Sequence, residues 1–160
     1  MSAAELLDQV LATLVEGCDA VGIPYDEWQG DGGVPFDPDD SAGYYGRPTW
    51  HDDELPPVPE TRQYRIILDA AGVDDPTAAA DAFAALRRAG GWRPLHEFSM
   101  GSGERLQHTR SYQGPNGERS TLVVARRHTQ QIAESAPSDD PALARPSVGP
   151  DLSKEEVESE

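Results

Sequence analysis

The sequence has one cysteine, one lysine and no long hydrophobic run. The single cysteine, Cys18, excludes an intramolecular disulfide framework and a zinc site built from several cysteines. The apolar stretch at residues 6–15 is interrupted by Asp8 and Gln9, and no basic residue precedes it. This stretch therefore predicts neither a signal peptide nor a membrane-spanning helix. We expect a cytoplasmic protein that does not bind membranes.

The sequence also lacks the motifs that would identify an enzyme. No nucleophile elbow or zinc-protease helix motif is present. The Gly-Ser-Gly run at residues 101–103 joins two predicted strands, whereas a phosphate-binding loop opens a helix. Asp37 and Asp39 occupy the first ligand positions of an EF-hand pattern, but Ala42 replaces the glycine that its turn requires. We expect no catalytic residues, no metal and no cofactor.

Negative charge is concentrated at both ends of the chain, which has a net charge of −16. Residues 1–60 contain 14 acidic residues and one basic residue, Arg47. Residues 61–133 contain 7 acidic and 10 basic residues, and residues 134–160 contain 8 acidic and 2 basic residues. Such a field repels nucleic acid, and it favours either a basic partner or solubility alone. We expect no binding to nucleic acid.

A helix is predicted in residues 1–23. Ser2 and Glu5 have the spacing of a capping box, and Gly22 with Pro24 favours an end to the helix. Apolar side chains recur every three or four residues between these points. They are Leu7, Val10, Leu11, Leu14 and Cys18. We expect this stripe to pack on the rest of the fold.

Residues 24–61 form an acidic arm without hydrophobic periodicity. Six aromatic residues lie among ten acidic ones in this arm, which is an unusual composition for a disordered segment. The aromatic residues are Tyr25, Trp28, Phe36, Tyr44, Tyr45 and Trp50. Either the arm packs on its own core, or these residues bind a partner.

Residues 62–133 are predicted to form the core. Alternating apolar residues from Tyr64 predict a strand, and Asp75 with Pro76 predicts the start of an alanine-rich helix. Three strands in a meander follow, with a hairpin turn at residues 114–117. The predicted fold is α+β: an N-terminal helix, then β-α-β-β-β, with a mostly antiparallel four-stranded sheet packed on two helices. Residues 134–160 are predicted to be an acidic, disordered tail.

Residues 66–94 combine a strand, an alanine-rich helix and a step from Leu86 through Gly91 and Trp92 into the next strand. This run resembles small uncharacterised α+β domains of actinobacterial hypothetical proteins and lipoproteins. The resemblance implies a fold and no activity. This chain lacks the lipobox of the lipoproteins.

One face of the predicted meander carries residues capable of chemistry. If Phe98 lies opposite Glu104 and Gln113 opposite Glu118, a single face collects an aromatic, imidazole and guanidinium set. This set is Trp92, His96, His108, Arg110 and Tyr112. It predicts either a site for an anionic or aromatic ligand or a core beneath the helices.

Two functions are consistent with these patterns. The leading hypothesis is a non-catalytic protein-binding protein of the immunity, inhibitor or adaptor type, which presents acidic surface to a basic protein partner. The alternative is a small-molecule-binding domain or modest enzyme that uses the sheet face.

Overall fold

The computed structural model describes residues 2–30, 33–39, 48–50 and 62–136, with backbone only at 48–50. The elements, in chain order, are α1 (Ala3–Val21), β1 (Pro48–Trp50), β2 (Arg62–Ala70), α2 (Pro76–Ala89), β3 (Arg93–Met100), β4 (Gln107–Gln113), β5 (Arg119–Ala125) and β6 (Thr129–Glu134). Short 3-10 turns lie at Tyr25–Glu27 and Gly103–Arg105. The predicted tail from residue 137 onward lies outside the described residues.

The α+β class and the N-terminal helix are confirmed, but the predicted strand number is wrong. Strands β2 to β6 form a continuous antiparallel sheet in the order β2-β6-β5-β4-β3, and the three-residue β1 pairs with β2 outside it. The sheet therefore has five main strands rather than four. Because each neighbouring pair is antiparallel, β2 and β3 run parallel at opposite edges, and α2 connects those edges.

The additional strand comes from a turn without the usual turn residues. The sequence pattern predicted one strand from residue 118 to 128, whereas β5 ends at Ala125 and the chain reverses there. The Ala125 amide donates to the His128 carbonyl at 2.9 Å, and β6 begins at Thr129. Neither Gly nor Asn marks this turn, and half of the six β6 side chains are polar amides or hydroxyls, so the pattern did not predict it.

The predicted capping box of α1 is present. The Ser2 hydroxyl accepts from the Glu5 amide at 3.2 Å, and the Glu5 carboxylate accepts from the Ser2 amide at 2.8 Å. The helix ends at Gly22, whose φ of 86° lies in the left-handed region that glycine adopts without strain. The predicted stripe is buried, with Leu7 and Cys18 fully enclosed.

Two hydrophobic clusters fill the space between the helices and the sheet. The first joins α1 to Tyr64, Ile66 and Leu68 of β2, and the second joins α2 to residues of β4 and β5. Members of the second cluster are Ala79, Ala80, Phe83, Tyr112, Leu122 and Val124. The opposite face of the sheet carries no described helix.

Arg87 lies between the two clusters with 1% of its surface exposed. Its guanidinium donates to Glu16 Oε1 at 2.6 Å and to the Thr13 carbonyl at 2.9 Å, both on α1, and to Ser120 Oγ on β5 at 3.2 Å. It also lies 4.5 Å from the ring centroid of Trp92. Burial lowers the pKa of Arg87, and Glu16 opposes that shift. A single side chain thus connects both helices to the sheet.

Candidate functional site

The first part of the acidic arm packs along the outer side of β2. Gln29 and Asp69 exchange backbone hydrogen bonds at 2.8 and 2.9 Å, and Gln29 also bridges Pro35. The Trp28 indole donates to the Ile23 carbonyl at 3.2 Å. These bonds hold residues 28–30 and 33–36, here called the arm loop, beside the sheet.

The arm aromatics do not share one environment. Trp28 and Phe36 are buried in the α1 cluster, at 0% and 2% exposure, while Tyr25 is 37% exposed. The backbone of Trp50 lies in β1, paired with Arg62. Tyr44 and Tyr45 lie outside the described residues. Among the arm aromatics whose side chains are described, Tyr25 is the one exposed to solvent.

A groove of about 850 Å³ lies between α1 and the arm loop. Its lining combines the apolar residues Val15, Val34, Pro35, Phe36 and Pro38 with the acidic residues Asp26, Asp37 and Asp39, and with Tyr25. A smaller groove of about 430 Å³, bounded by Cys18, Asp19, Gly22, Ile23 and Pro24, shares Tyr25 with it. Tyr25 therefore stands between two adjoining depressions on the acidic side of the molecule.

Both ends of the Tyr25 side chain are held. Its hydroxyl donates to Asp19 Oδ1 at 3.1 Å, and its ring meets Phe36 edge-on, with centroids 6.5 Å apart and planes 80° apart. The hydrogen bond to Asp19 raises the pKa of Tyr25 above its ordinary value. The ring is thereby placed in one orientation before any ligand arrives.

The groove lies in an entirely acidic part of the surface. Within 2–30 and 33–39 the chain carries eight carboxylate side chains and no basic one. One of them, Glu16, is paired with Arg87, and the Asp37 carboxylate accepts from the Asp39 amide at 3.0 Å. The described residues contain no group of three or more His, Cys, Asp or Glu side chains suited to a metal. The three carboxylates that line the groove, Asp26, Asp37 and Asp39, give it a negative electrostatic field.

The predicted sheet-face set is divided by the real strand registers. Phe98 lies opposite Thr109, and Gln113 lies opposite Arg119, so both predicted registers are wrong by an odd number of residues. An odd shift moves a strand's side chains to the other face. His108, Arg110 and Tyr112 share the helix-covered face, whereas His96 lies opposite Ser111 on the other one. Trp92 precedes β3 and packs against Arg87.

Each of the three residues on the covered face has at least one polar atom that is hydrogen-bonded within the protein. His108 Nε2 lies 2.9 Å from Thr77 Oγ1, and its Nδ1 lies 2.6 Å from Ser99 Oγ. Burial, and next the charge of Arg110, lower the pKa of His108. Arg110 donates to the Phe98 carbonyl at 3.0 Å.

Tyr112 is fully buried, and its hydroxyl donates to Glu97, a carboxylate that also pairs with Arg88. Burial and Glu97 raise the pKa of Tyr112 to about 12. Neither of the two grooves contains any member of the predicted set. His108 and Tyr112 are therefore parts of a hydrogen-bonded core, and none of the five residues lines either groove.

Sequence reasoning did not identify the groove or Arg87. The groove depends on Val34 and Pro35 folding back towards α1, which no local pattern encodes. The spacing of apolar residues predicts an inner face of Ala79, Ala82, Phe83, Leu86 and Ala89, which does not include Arg87. The observed buried face is Pro76, Ala79, Ala80, Phe83 and Arg87.

No protein-family model, no curated protein and no solved structure matches this chain. In the part of the chain that is described, no helix is both long and apolar enough to span a membrane. The class of protein supported by these observations is an α+β domain with a groove that is lined by apolar and acidic side chains.

Proposed function

We propose that the protein is a non-catalytic protein-binding protein of the immunity, inhibitor or adaptor type, and that it acts in the cytoplasm. Its partner is a basic protein, of which a segment with arginine or lysine side chains lies in the groove beside α1. The observation that supports this function is the combination of an apolar groove floor, a fixed Tyr25 and an entirely acidic rim.

The chemistry of the groove matches such a segment. A guanidinium or ammonium group is attracted to the face of an aromatic ring, and Tyr25 offers an exposed ring. The aliphatic stem of the same side chain gains apolar contact with Val34, which is 62% exposed. Asp26, Asp37 and Asp39 then lie within the same groove as counter-charges.

The charge distribution favours fast capture of a basic partner. Acidic residues without intervening bases produce a field that steers a cationic surface towards them, and this effect weakens as salt is added. The groove is held in shape by the interior of the fold, because Phe36 and Trp28 anchor the loop that carries Asp37 and Asp39. A pre-formed groove loses little conformational entropy on binding.

The experiment compares two triple variants of the full chain. Asp26→Asn, Asp37→Asn and Asp39→Asn neutralise the rim, and Asp74→Asn, Asp81→Asn and Glu104→Gln remove the same charge from exposed positions elsewhere. The probe is a labelled peptide of alternating arginine and valine, titrated by fluorescence anisotropy. The same variants then serve as baits for the basic protein that the unmodified chain recovers from its host.

The rim variant is expected to weaken peptide binding by about tenfold or more, and the matched variant by about twofold, because close carboxylates contribute more than distant ones. Equal losses in both variants would mean that overall charge alone attracts the peptide. Unchanged recovery of the basic protein by the rim variant would also exclude the groove as its site.

The alternative hypothesis of a small-molecule site or modest enzyme gains no support from the geometry. His108 and Tyr112 are buried and hydrogen-bonded within the protein, and His96 lies on the other side of the sheet. Ser99 and His108 form a hydroxyl–imidazole pair, but the second imidazole nitrogen contacts Thr77 where a catalytic triad would have a carboxylate.

A further inference from the structure

The two edges of the sheet differ in what covers them. At β2, the backbone of β1 pairs with residues 62–64, and Gln29 pairs with Asp69 further along the same edge. At β3, no strand other than β4 pairs with the edge in the part of the chain that is described. An unpaired edge presents a row of free backbone donors and acceptors, which is a template for another strand.

The open edge also carries apolar side chains. Every residue of β3 except Leu95 is exposed, and Phe98 and Met100 have exposures of 46% and 56%. Pro94 and the bulge at Leu95 disrupt regular pairing at the start of the strand. The regular open edge is therefore the five residues 96–100.

We propose that this edge is an interface between two copies of the chain, with β3 pairing antiparallel to β3 of the partner subunit about a two-fold axis at Phe98. Phe98 then lies opposite Phe98 of the partner subunit, and His96 lies opposite Met100 of the partner subunit. Glu97 lies opposite Ser99 of the partner subunit. A two-fold axis makes the same edge serve both copies.

This register is the self-complementary one. It places an aromatic pair at the centre, a sulfur–aromatic pair on each side and a carboxylate opposite a hydroxyl, which are favourable cross-strand combinations. An axis at Glu97 sets two carboxylates opposite each other, which is unfavourable. An axis at Ser99 pairs only the last three residues of β3, because the strand ends at Met100.

The charge distribution allows a second copy at this edge in spite of the net charge of −16. Helix α1 and its acidic groove pack over β2 and β6, whereas β3 is at the other end of the sheet. Pairing two β3 edges gives a sheet of ten main strands, in which the two β2 strands are separated by about 43 Å at 4.8 Å per strand. That distance exceeds the Debye length of about 8 Å at physiological salt, so repulsion between the acidic ends is screened.

The dimer also has a consequence for binding. Its two acidic grooves lie at opposite ends of one continuous sheet, which suits a partner with two basic segments or two copies of a basic partner. The dimer itself does not depend on the proposed groove function, because the edge and the groove share no residue.

The first test is sedimentation velocity of the full chain over a concentration series, with Phe98→Lys as the disrupting variant and Val34→Lys as its matched control. Both positions are exposed apolar residues, but Val34 lies in the groove. The unmodified chain and Val34→Lys are expected to dimerise at micromolar concentrations. Phe98→Lys is expected to raise the dissociation constant about tenfold or more, because like charges would face each other.

The second test reports the register through a disulfide. Cα atoms of directly opposite residues lie about 4.5–5.5 Å apart, which is within disulfide range. Phe98→Cys is therefore expected to form a covalent dimer under mild oxidation, whereas His96→Cys, which faces Met100 of the partner subunit, is not. Cys18 is buried and stays free in both variants.

Each result has a definite meaning. A monomeric unmodified chain at high micromolar concentration overturns the proposal, and so does a dimer that Phe98→Lys leaves intact. Equal cross-linking of the two cysteine variants overturns the register. If the chain is monomeric and Phe98→Lys instead abolishes binding of another protein, the edge is a docking strand for that protein and not a dimer interface.

Discussion

The two helices cover the same sheet, but they enclose different kinds of interior. Beneath α1 the contacts are mainly apolar, with Leu7, Leu14 and Trp28 almost fully buried, and the buried Gln131 amide donates to the Leu14 carbonyl at 3.3 Å. Beneath α2 the apolar residues are joined by Arg87, His108 and Tyr112, all buried and hydrogen-bonded. The half with the more reactive side chains is thus the half in which those side chains have structural partners.

This difference shows why residue type alone is a poor guide to a site. A buried histidine or arginine whose hydrogen bonds are satisfied by the protein has no free group with which to bind a ligand. Asp26, Asp37 and Asp39, in contrast, line an open groove on the other half. The location of exposed charge is therefore the better indicator of function in this fold.

The largest expected effect tests the apolar half of the molecule, that is, the interior beneath α1. Trp28→Ala removes a fully enclosed indole and is expected to lower the free energy of unfolding by about 3–5 kcal/mol. Val34→Ala, at a residue 62% exposed, is the control and is expected to change it by less than about 0.5 kcal/mol. Urea unfolding followed by circular dichroism measures both. A loss below about 1 kcal/mol for Trp28→Ala would show that the arm loop is not part of the core.

The second-largest expected effect tests the polar half of the molecule, that is, the interior beneath α2. Arg87→Met keeps some apolar contact but leaves the Thr13 carbonyl and Ser120 without their donor, and we expect a loss of about 2–3 kcal/mol in the free energy of unfolding. Glu16 is 53% exposed and can be rehydrated, which limits the loss. Arg88→Met is the matched control on the same helix turn.

Because the Arg88 side chain is 55% exposed, solvent screens its pair with Glu97, and we expect Arg88→Met to change the free energy of unfolding much less than Arg87→Met. Similar unfolding midpoints for Arg87→Met and Arg88→Met would contradict the role of Arg87 as the connection between the two clusters. A larger loss for Arg87→Met than for Trp28→Ala would reverse the order of importance between the two halves.

Elements that depend on local pattern were predictable from sequence, and those that depend on long-range pairing were not. The capping box at Ser2, the stripe on α1 and the Asp75 start of α2 are local, since they involve residues within one or two helical turns. The strand registers and the fifth main strand depend on turns around residues 101–106 and 126–128, where sequence signals were weak. Because the register between β3 and β4 differs from the predicted one by an odd number of residues, His96 and His108 lie on opposite faces of the sheet, and the predicted face does not form.

The candidate site shows the same limit. The sequence places Tyr25, Trp28 and Phe36 in one arm, but whether each is buried depends on how that arm folds against α1. The acidity of the arm was visible in composition alone. The groove also involves a contact between the rings of Tyr25 and Phe36, and these two residues are eleven positions apart in the sequence.

A smaller effect is expected from pH, and it again concerns the polar half. Because the pKa of His108 is lowered in the folded state, the unfolded state binds the proton more readily. The contribution of neutral His108 to stability is therefore present above its unfolded pKa of about 6.5 and is lost as pH falls below it. Arg110 on β4 adds to the cost of the charged form, and Asp81 on α2 opposes it.

The measurement is urea unfolding of the unmodified chain and of His108→Gln at several pH values between neutrality and mild acid. The unmodified chain is expected to lose more stability than the variant on acidification, since glutamine has no proton to gain. Subtraction of the two curves removes the contribution of the other three histidines, which both proteins retain. Parallel curves would mean that His108 takes up its proton as easily when folded as when unfolded.

The smallest expected effect separates structure from binding on the groove side. Tyr25→Phe removes the hydroxyl that donates to Asp19 but keeps the ring against Phe36. Because that hydrogen bond is exposed to solvent, the free energy of unfolding is expected to stay close to that of the unmodified chain. Binding of the arginine–valine peptide is expected to weaken about two- to threefold, as the ring loses its fixed orientation and keeps its attraction for a cation. Tyr25→Ala, which also removes the ring, is expected to weaken peptide binding further than Tyr25→Phe at similar stability. Equal peptide affinities for the two variants would show that the ring face does not contact the cation.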